Sequence, residues 1–245
     1  MKIVVKVNKY SDIKKLNNAD AYILSNKQFS LRFDESFSQD KIEKATKYIH
    51  SINKEIYVLV NRIMFDEDLP SLKYFLIYLK DINVDGIYFT DFAVFMIAKE
   101  IGISEKCIFY HETFLRNSYD IVTYQSYGIN KIICSKDMNL QDIYNLPINQ
   151  KDNYGIICFG YMPIYESKRQ IIKNYVKLND LPKELIKSKN LSLREDTRDK
   201  LYKVIEQEGI SSIFDYQVLC YLDSMNYLKE HINMFIIDSL FFDVS

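Results

Sequence analysis

Residues 84–111 read VDGIYFTDFAVFMIAKEIGISEKCIFYH. Asp85 leads into Gly86–Phe89, a short apolar run, and Thr90-Asp91 ends it. Phe92–Ile101 then reads as a helix that stops at Gly102-Ile103, a glycine where a helix C′ residue needs positive φ, followed by an apolar residue leading to the next run, Cys107–Tyr110. Strand, helix and strand through short connections form a βαβ unit, which implies a parallel sheet.

The same grammar extends in both directions. Similar runs occur at Ile3–Val7, Ala21–Leu24, Ile56–Val60, Lys131–Cys134, Gly155–Phe159 and Phe235–Phe241, each nearly continuous in large apolar residues and bounded by polar ones. That pattern belongs to strands buried on both faces. Between them, Asp40–Ile52 places Ile42, Ala45, Tyr48, Ile49 and Ile52 at helical spacing behind Ser38, a suitable N-cap, and Leu69–Ile82, Tyr119–Tyr127 and Leu140–Leu146 read alike. Gly128-Ile129 and Gly209-Ile210 repeat the helix-stop signal. About eight strands of this kind predict a single-domain (β/α)8 TIM-like barrel over residues 1–245, with a doubly wound open sheet as the alternative. No GxGxxG or other glycine-rich nucleotide loop follows the first strand, which favours the barrel. Residues 178–212 are too long and too charged for one βα connection and predict an excursion beyond the rim, with a hairpin around Leu191–Tyr202. A helix over Tyr216–Ile232 then returns the chain to the last strand, after which the final helix of the barrel is truncated.

Composition narrows the class. A chain of 245 residues, 48% hydrophobic and 27% charged, with net charge -1, describes a globular protein without a dominant nucleic-acid footprint. No window approaches the roughly 18 apolar residues of a spanning helix, and Lys6 and Lys9 break the N-terminal run, so a cytoplasmic location is expected. Cys107, Cys134, Cys158 and Cys220 are far apart inside apolar runs and read as buried free thiols rather than a disulfide framework.

Barrel enzymes carry their chemistry at the C-terminal ends of strands. Those ends supply Ser25-Asn26 with nearby Arg32, Asn61-Arg62, Thr90-Asp91, His111-Glu112-Thr113, Ser135-Lys136, and Gly160 with the loop through Pro163 to Lys168-Arg169. His111 with Glu112 is the candidate acid/base pair, because imidazole titrates near neutrality and a carboxylate can orient it; a satisfied rim histidine is the alternative. Cys107, Cys134 and Cys158 lie on consecutive strands and read as small core hydrophobes, while an approach to one another inside the barrel is the rival. Lys168-Arg169 suits a phosphate or carboxylate, or else a solvated helix start. The run Arg194–Arg198 reads as an exposed loop. Metal-ligand spacing and the common hydrolase motifs are absent.

Taken in order, NADAYILSNKQFSLRFDESFS, EIYVLVNRIMFDEDL, VDGIYFTDFAVFMIAKEIG, HETFLRN, INKIICSKDMNLQDI and FGYMPIYESKRQIIKNYV resemble the peptidase U32 family, the collagenase-like proteases. The likeness spans nearly the whole chain and is nearest to the shorter member of paired U32 proteins implicated in hydroxylating the wobble uridine of tRNA. It implies a similar barrel. Glu112, Thr113 and Asn117 match the Glu-Thr-x-x-x-Asn pattern of the shorter proteins, and Ser167-Lys168-Arg169 and Asn174-Tyr175 match a further motif. Family members that carry an iron–sulfur cluster have a His-Gly after this strand, followed by cysteines. Phe159 occupies the histidine position here, and no thiol lies near Pro163. No cofactor is therefore expected in this chain, and an iron–sulfur cluster is expected in a longer U32 paralogue that forms its partner.

The resemblance implies a role in wobble-uridine (5-hydroxyuridine) hydroxylation beside that paralogue, with tRNA contacted through the complex. Arg32, Asn61, Glu112, Asn117, Ser167, Lys168 and Arg169 are the expected substrate-binding residues, serving a substrate or a small carboxylate donor. A peptidase and a non-catalytic partner-binding barrel are the alternatives, and whether the chain is itself an enzyme stays open.

Overall fold

A computed structural model describes residues 1–111 and 115–243. Seven strands, β1 (Lys2–Lys6), β2 (Ala21–Ser25), β3 (Glu55–Val60), β4 (Gly86–Phe89), β5 (Cys107–Tyr110), β6 (Lys131–Cys134) and the first half of β7 (Tyr154–Ser167), pair in parallel in chain order. The final parallel strand, Met234–Asp238, pairs with both β7 and β1 and closes an eight-stranded barrel. Ile23, Tyr57, Leu59, Tyr88, Ile133, Ile157, Met234 and Ile236 fill its lumen. Alternate residues such as Tyr22, Leu24, Val58 and Phe89 pack outward with Ile42, Leu72 and Phe95 of the helices. Both faces of each strand are thus dry, which is why the runs read as continuous rather than alternating.

A single turn, α1 (Asp12–Lys15), is not among the expected helices; the others follow the expected boundaries closely: α2 (Gln39–Ser51), α3 (Leu69–Asp81), α4 (Phe92–Glu100), α5 (Ser118–Ser126) and α6 (Leu140–Tyr144). Ser38, Asp91, Asn117 and Asn139 each accept a hydrogen bond from a backbone N–H in the first turn. Gly102 and Gly128 stand at φ of 73° and 94°, as the helix-stop reading requires. None of the helices among the described residues is long and apolar enough to cross a membrane.

The expectations fail in the last third of the chain. β7 does not end at Gly160 in a loop. It continues through Pro163 to Ser167, pairing there with β10 (Ile210–Cys220), antiparallel. Lys168-Arg169 precedes α7 (Ile171–Leu178) rather than opening it. The predicted hairpin forms as β8 (Ser192–Glu195) and β9 (Arg198–Gln207), but a second hairpin joins β9 to β10. Glu208 and Gly209, at φ of 49° and 76°, form its two-residue turn, so the Gly209 signal marks a hairpin and not a helix end. The helix expected over Tyr216–Ile232 is likewise replaced by the end of β10 and a single turn, α8 (Met225–Leu228). Its apolar spacing fits a helix, yet pairing with β7 supplies hydrogen bonds and burial that local periodicity does not encode. The closing barrel strand is β11 (Met234–Asp238), and no helix follows it among the described residues.

Gly160 marks the residue where β7 changes partner. Its φ is 142°, and a Cβ there would lie 2.7 Å from the Asp238 carbonyl oxygen of β11. Gly160→Ala is expected to destabilise the fold by about 1–3 kcal/mol in denaturant unfolding, through strain and backbone overlap together. Gly102→Ala, with nothing within 4 Å of its Cβ, is expected to incur only the left-handed backbone cost, about 1–2 kcal/mol.

The thiols divide unevenly. Cys107, Cys134 and Cys158 are buried, whereas Cys220 is exposed at the end of β10, against the expectation of burial for all four. Burial pushes the Cys107 and Cys134 thiols up to about 12 and Cys158 up to about 11. A thiol titration of the native protein near about pH 8 is expected to consume one cysteine quickly and the other three only after unfolding.

Candidate functional site at the barrel mouth

The upper half of β7 leans over the C-terminal end of the barrel and turns an open mouth into a cleft. Arg32, Asn61, Ile63, Thr90, His111, Pro163, Ile164, Tyr165 and Glu166 line a space of about 240 Å³. Beneath it, a recess of about 20 Å³ reaches into the lumen between Lys6, Arg32, Asn61, Tyr88, Tyr110 and Asp238. The recess is of the order of one water molecule, while the cleft above takes a small metabolite or part of a larger substrate.

Arg32 joins the two spaces. It is 6% exposed and stands at φ of 60°, a conformation that costs a non-glycine residue about 1–2 kcal/mol. Its loop is held from three sides. The Gln207 side-chain oxygen accepts from the backbone N–H of Arg32 (2.8 Å) and of Phe33 (3.3 Å), and the Gln207 amide donates to the Phe33 carbonyl (2.7 Å). The Asn61 Oδ1 accepts from the Leu31 N–H at 2.8 Å. The guanidinium Nη1 donates to Glu166 on the upper half of β7. A buried arginine needs such a partner, because removing one member of a buried pair leaves an uncompensated charge costing several kcal/mol.

A second ion pair lies deeper. Lys6 Nζ donates to Asp238 Oδ2 at 2.7 Å, and Ser239 Oγ donates to the Lys6 carbonyl. Tyr88 Oη and Thr90 Oγ1 are buried without a hydrogen-bond partner among the described residues. Burial raises the Tyr88 phenol well above its ordinary pKa, so it stays protonated and can both donate and accept. An unsatisfied buried hydroxyl costs about 1–3 kcal/mol, which a bound polar molecule would recover. Two ion pairs and two hydroxyls without partners among the described residues make the cleft and its recess polar and charge-balanced.

The structure gathers some of the expected residues and disperses others. Arg32, Asn61 and His111 share the cleft. Asn117 caps α5, accepting from the Asp120 N–H at 3.0 Å, and Asp91 is similarly committed, accepting from Met64 N–H and Ala93 N–H at 2.9 Å each. Ser167, Lys168 and Arg169 lie on the outer rim: Ser167 Oγ accepts from the Arg169 N–H, and the Lys168 ammonium sits 3.1 Å from the Phe65 ring centroid. Glu112 and Thr113 fall outside the described residues. Lys6, Tyr88, Glu166 and Asp238 were missed as candidates. Lys6 interrupts an apolar strand run, a signal in itself; Glu166 reaches the cleft only because β7 continues past Gly160.

Cys107, Cys134 and Cys158 point out of the barrel into the layer beneath the helices, and Cys158 Sγ donates to the Ile236 carbonyl. The rival reading, in which they meet inside the barrel, is thereby corrected. Among the described residues no three His, Cys, Asp or Glu side chains are arranged to hold a metal ion.

Comparison with known proteins gives the same architecture a lineage. The chain is 26% identical over 214 residues to tRNA hydroxylation protein P2 of Bacillus subtilis, covering 86% of this chain and 69% of that protein. It is 20% identical over 163 residues to tRNA hydroxylation protein P1 of the same organism, 66% of this chain but only 39% of the longer relative. The solved structure of the U32 peptidase Mk0906 superposes with a TM-score of 0.60 over 97% of this chain and 92% of that one; at 10% identity the likeness concerns the fold. The family model for peptidase family U32 matches residues 11–243, from α1 to beyond the closing strand, and the chain belongs to that family.

Proposed function

We propose that this protein takes part in hydroxylation of the wobble uridine of tRNA, beside a longer U32 paralogue that carries the iron–sulfur cluster. The observation that carries the reading is similarity to tRNA hydroxylation protein P2 along 86% of the chain. The site chemistry agrees with it. Arg32 and Asn61 would hold a small carboxylate donor or substrate in the cleft, with the Tyr88 and Thr90 hydroxyls orienting its polar groups. His111 would move a proton at the cleft wall, in concert with Glu112. Lys168, Arg169 and Ser167 would act at the rim, where a large substrate first meets the protein.

No redox step is assigned to this chain; its three buried thiols, Cys107, Cys134 and Cys158, pack in the layer beneath the helices. Its own residues bind, orient and exclude water, and the hydroxylation chemistry is assigned to the complex. A buried, rigidly held guanidinium suits that role because little reorganisation is needed when an anion arrives.

Deleting the gene is expected to remove 5-hydroxyuridine-derived nucleosides from tRNA in mass spectrometry; unchanged levels would overturn the reading. Complementation with Arg32→Ala is expected to restore less than about one tenth of the modification, a loss of at least about 1.4 kcal/mol in function. Gln207→Ala, which frees the Arg32 loop without touching the cleft, is expected to give an intermediate level with the protein still folded by circular dichroism.

A further inference from the structure

The net charge of -1 conceals a strong asymmetry. Residues 168–203 contain 11 of the 32 lysines and arginines but only 5 of the 33 aspartates and glutamates. That segment, α7 with the first part of the excursion, is therefore basic, and the rest of the chain is acidic. Structure gathers this basic segment across β10 from β7, where α7, the turn Lys183–Lys187 and the β8–β9 hairpin pack together.

Few of these charges are neutralised locally. Arg169, Lys173, Lys177, Lys183 and Lys187 are exposed and have no ion pair among the described residues. Lys173 and Lys177 lie one turn apart on α7, a like-charge spacing that weakens a helix unless something compensates. Ile172 and Val176 anchor the helix beneath. Helical spacing leaves the two lysines on one flank and Tyr175, which is 60% exposed, on the other. On the Tyr175 side, an apolar groove of about 330 Å³ runs between Val176, Leu185, Leu191 and Val204.

We propose that this face binds RNA: a single-stranded segment crosses α7 with its phosphates on Lys173 and Lys177, and an unstacked base rests on Tyr175 at the groove. Cations on the backbone path with an aromatic platform for a base are what sequence-tolerant single-strand recognition requires. A protein partner fits less well, because lysine is depleted at protein interfaces. The inference deepens the tRNA reading above and rests on it for the choice of RNA.

The test is fluorescence anisotropy of the full chain with a labelled tRNA anticodon stem-loop bearing wobble uridine, across a salt series. Lys173→Gln with Lys177→Gln is expected to weaken binding by about tenfold and to reduce the salt slope by about 1.4, two single-strand phosphate contacts. Tyr175→Ala is expected to weaken it at least about fivefold with the slope unchanged. Lys47→Gln on α2, already paired with Glu43, is the control and should bind as wild type. Wild-type binding by the Lys173/Lys177 variant, or no binding by the parent chain at low salt, would overturn the proposal. So would unchanged RNA affinity with loss of a co-purifying protein, which would assign the face to an acidic partner. Loss of tRNA modification in the deletion strain together with unaltered RNA binding by the variants would discard this surface alone. Weakened binding by the variants with intact modification in the deletion strain would discard the hydroxylation reading alone.

Discussion

The architecture depends on β7 serving two sheets. Its first half, with β6 on one side and β11 on the other, closes the barrel; its second half pairs with β10 and carries the excursion. One strand cannot continue in both directions without a sharp change of course, and the chain makes that change at Gly160, against the Asp238 carbonyl. Glycine is required because a side chain would occupy the space of the neighbouring backbone. From this follow the cover over the barrel mouth, the position of Glu166 and the attachment of the basic segment.

The cover also explains why Arg32 is tolerated where it is. A buried guanidinium in a left-handed backbone conformation is unfavourable twice over, and each cost is offset by a group from the last third of the chain: Glu166 on β7 for the charge, Gln207 on β9 for the backbone. The β2–α2 loop and the excursion are thus mutually dependent. Lys6 and Asp238 repeat the arrangement at the join between the first and last barrel strands, where their side chains seal the lumen below the cleft. Strained or buried polar groups that are fully supported in this way commonly mark functional sites.

The cleft and the outer face differ in charge. The cleft is small, enclosed and internally paired, suited to a small molecule. The face formed by residues 168–203 is exposed and basic, with an apolar groove beside it. Both adjoin the same strand: Glu166 of β7 pairs with Arg32 in the cleft, and β10, paired with β7, holds the start of α7 where Ser211 Oγ accepts from the Ile171 N–H.

By itself the sequence determined the barrel, because burial on both strand faces and glycine-stopped helices leave local signatures: α2, α3 and α4 fall within a residue of their expected limits. It also pointed to Arg32, Asn61 and His111, which stand just past strand ends where a barrel collects its side chains. Only tertiary structure decided the rest. Residues 216–220 carry an apolar spacing that suits a helix, and distant pairing with β7 makes them strand. Asn117 and Asp91 looked available for chemistry, yet helix N-termini claim their oxygens. Lys6, Tyr88, Glu166 and Asp238 meet only when eight strands close and β7 folds over them. Local periodicity reports which side of an element is buried; which buried polar groups face one another depends on contacts far apart in the chain, and these have no local signature.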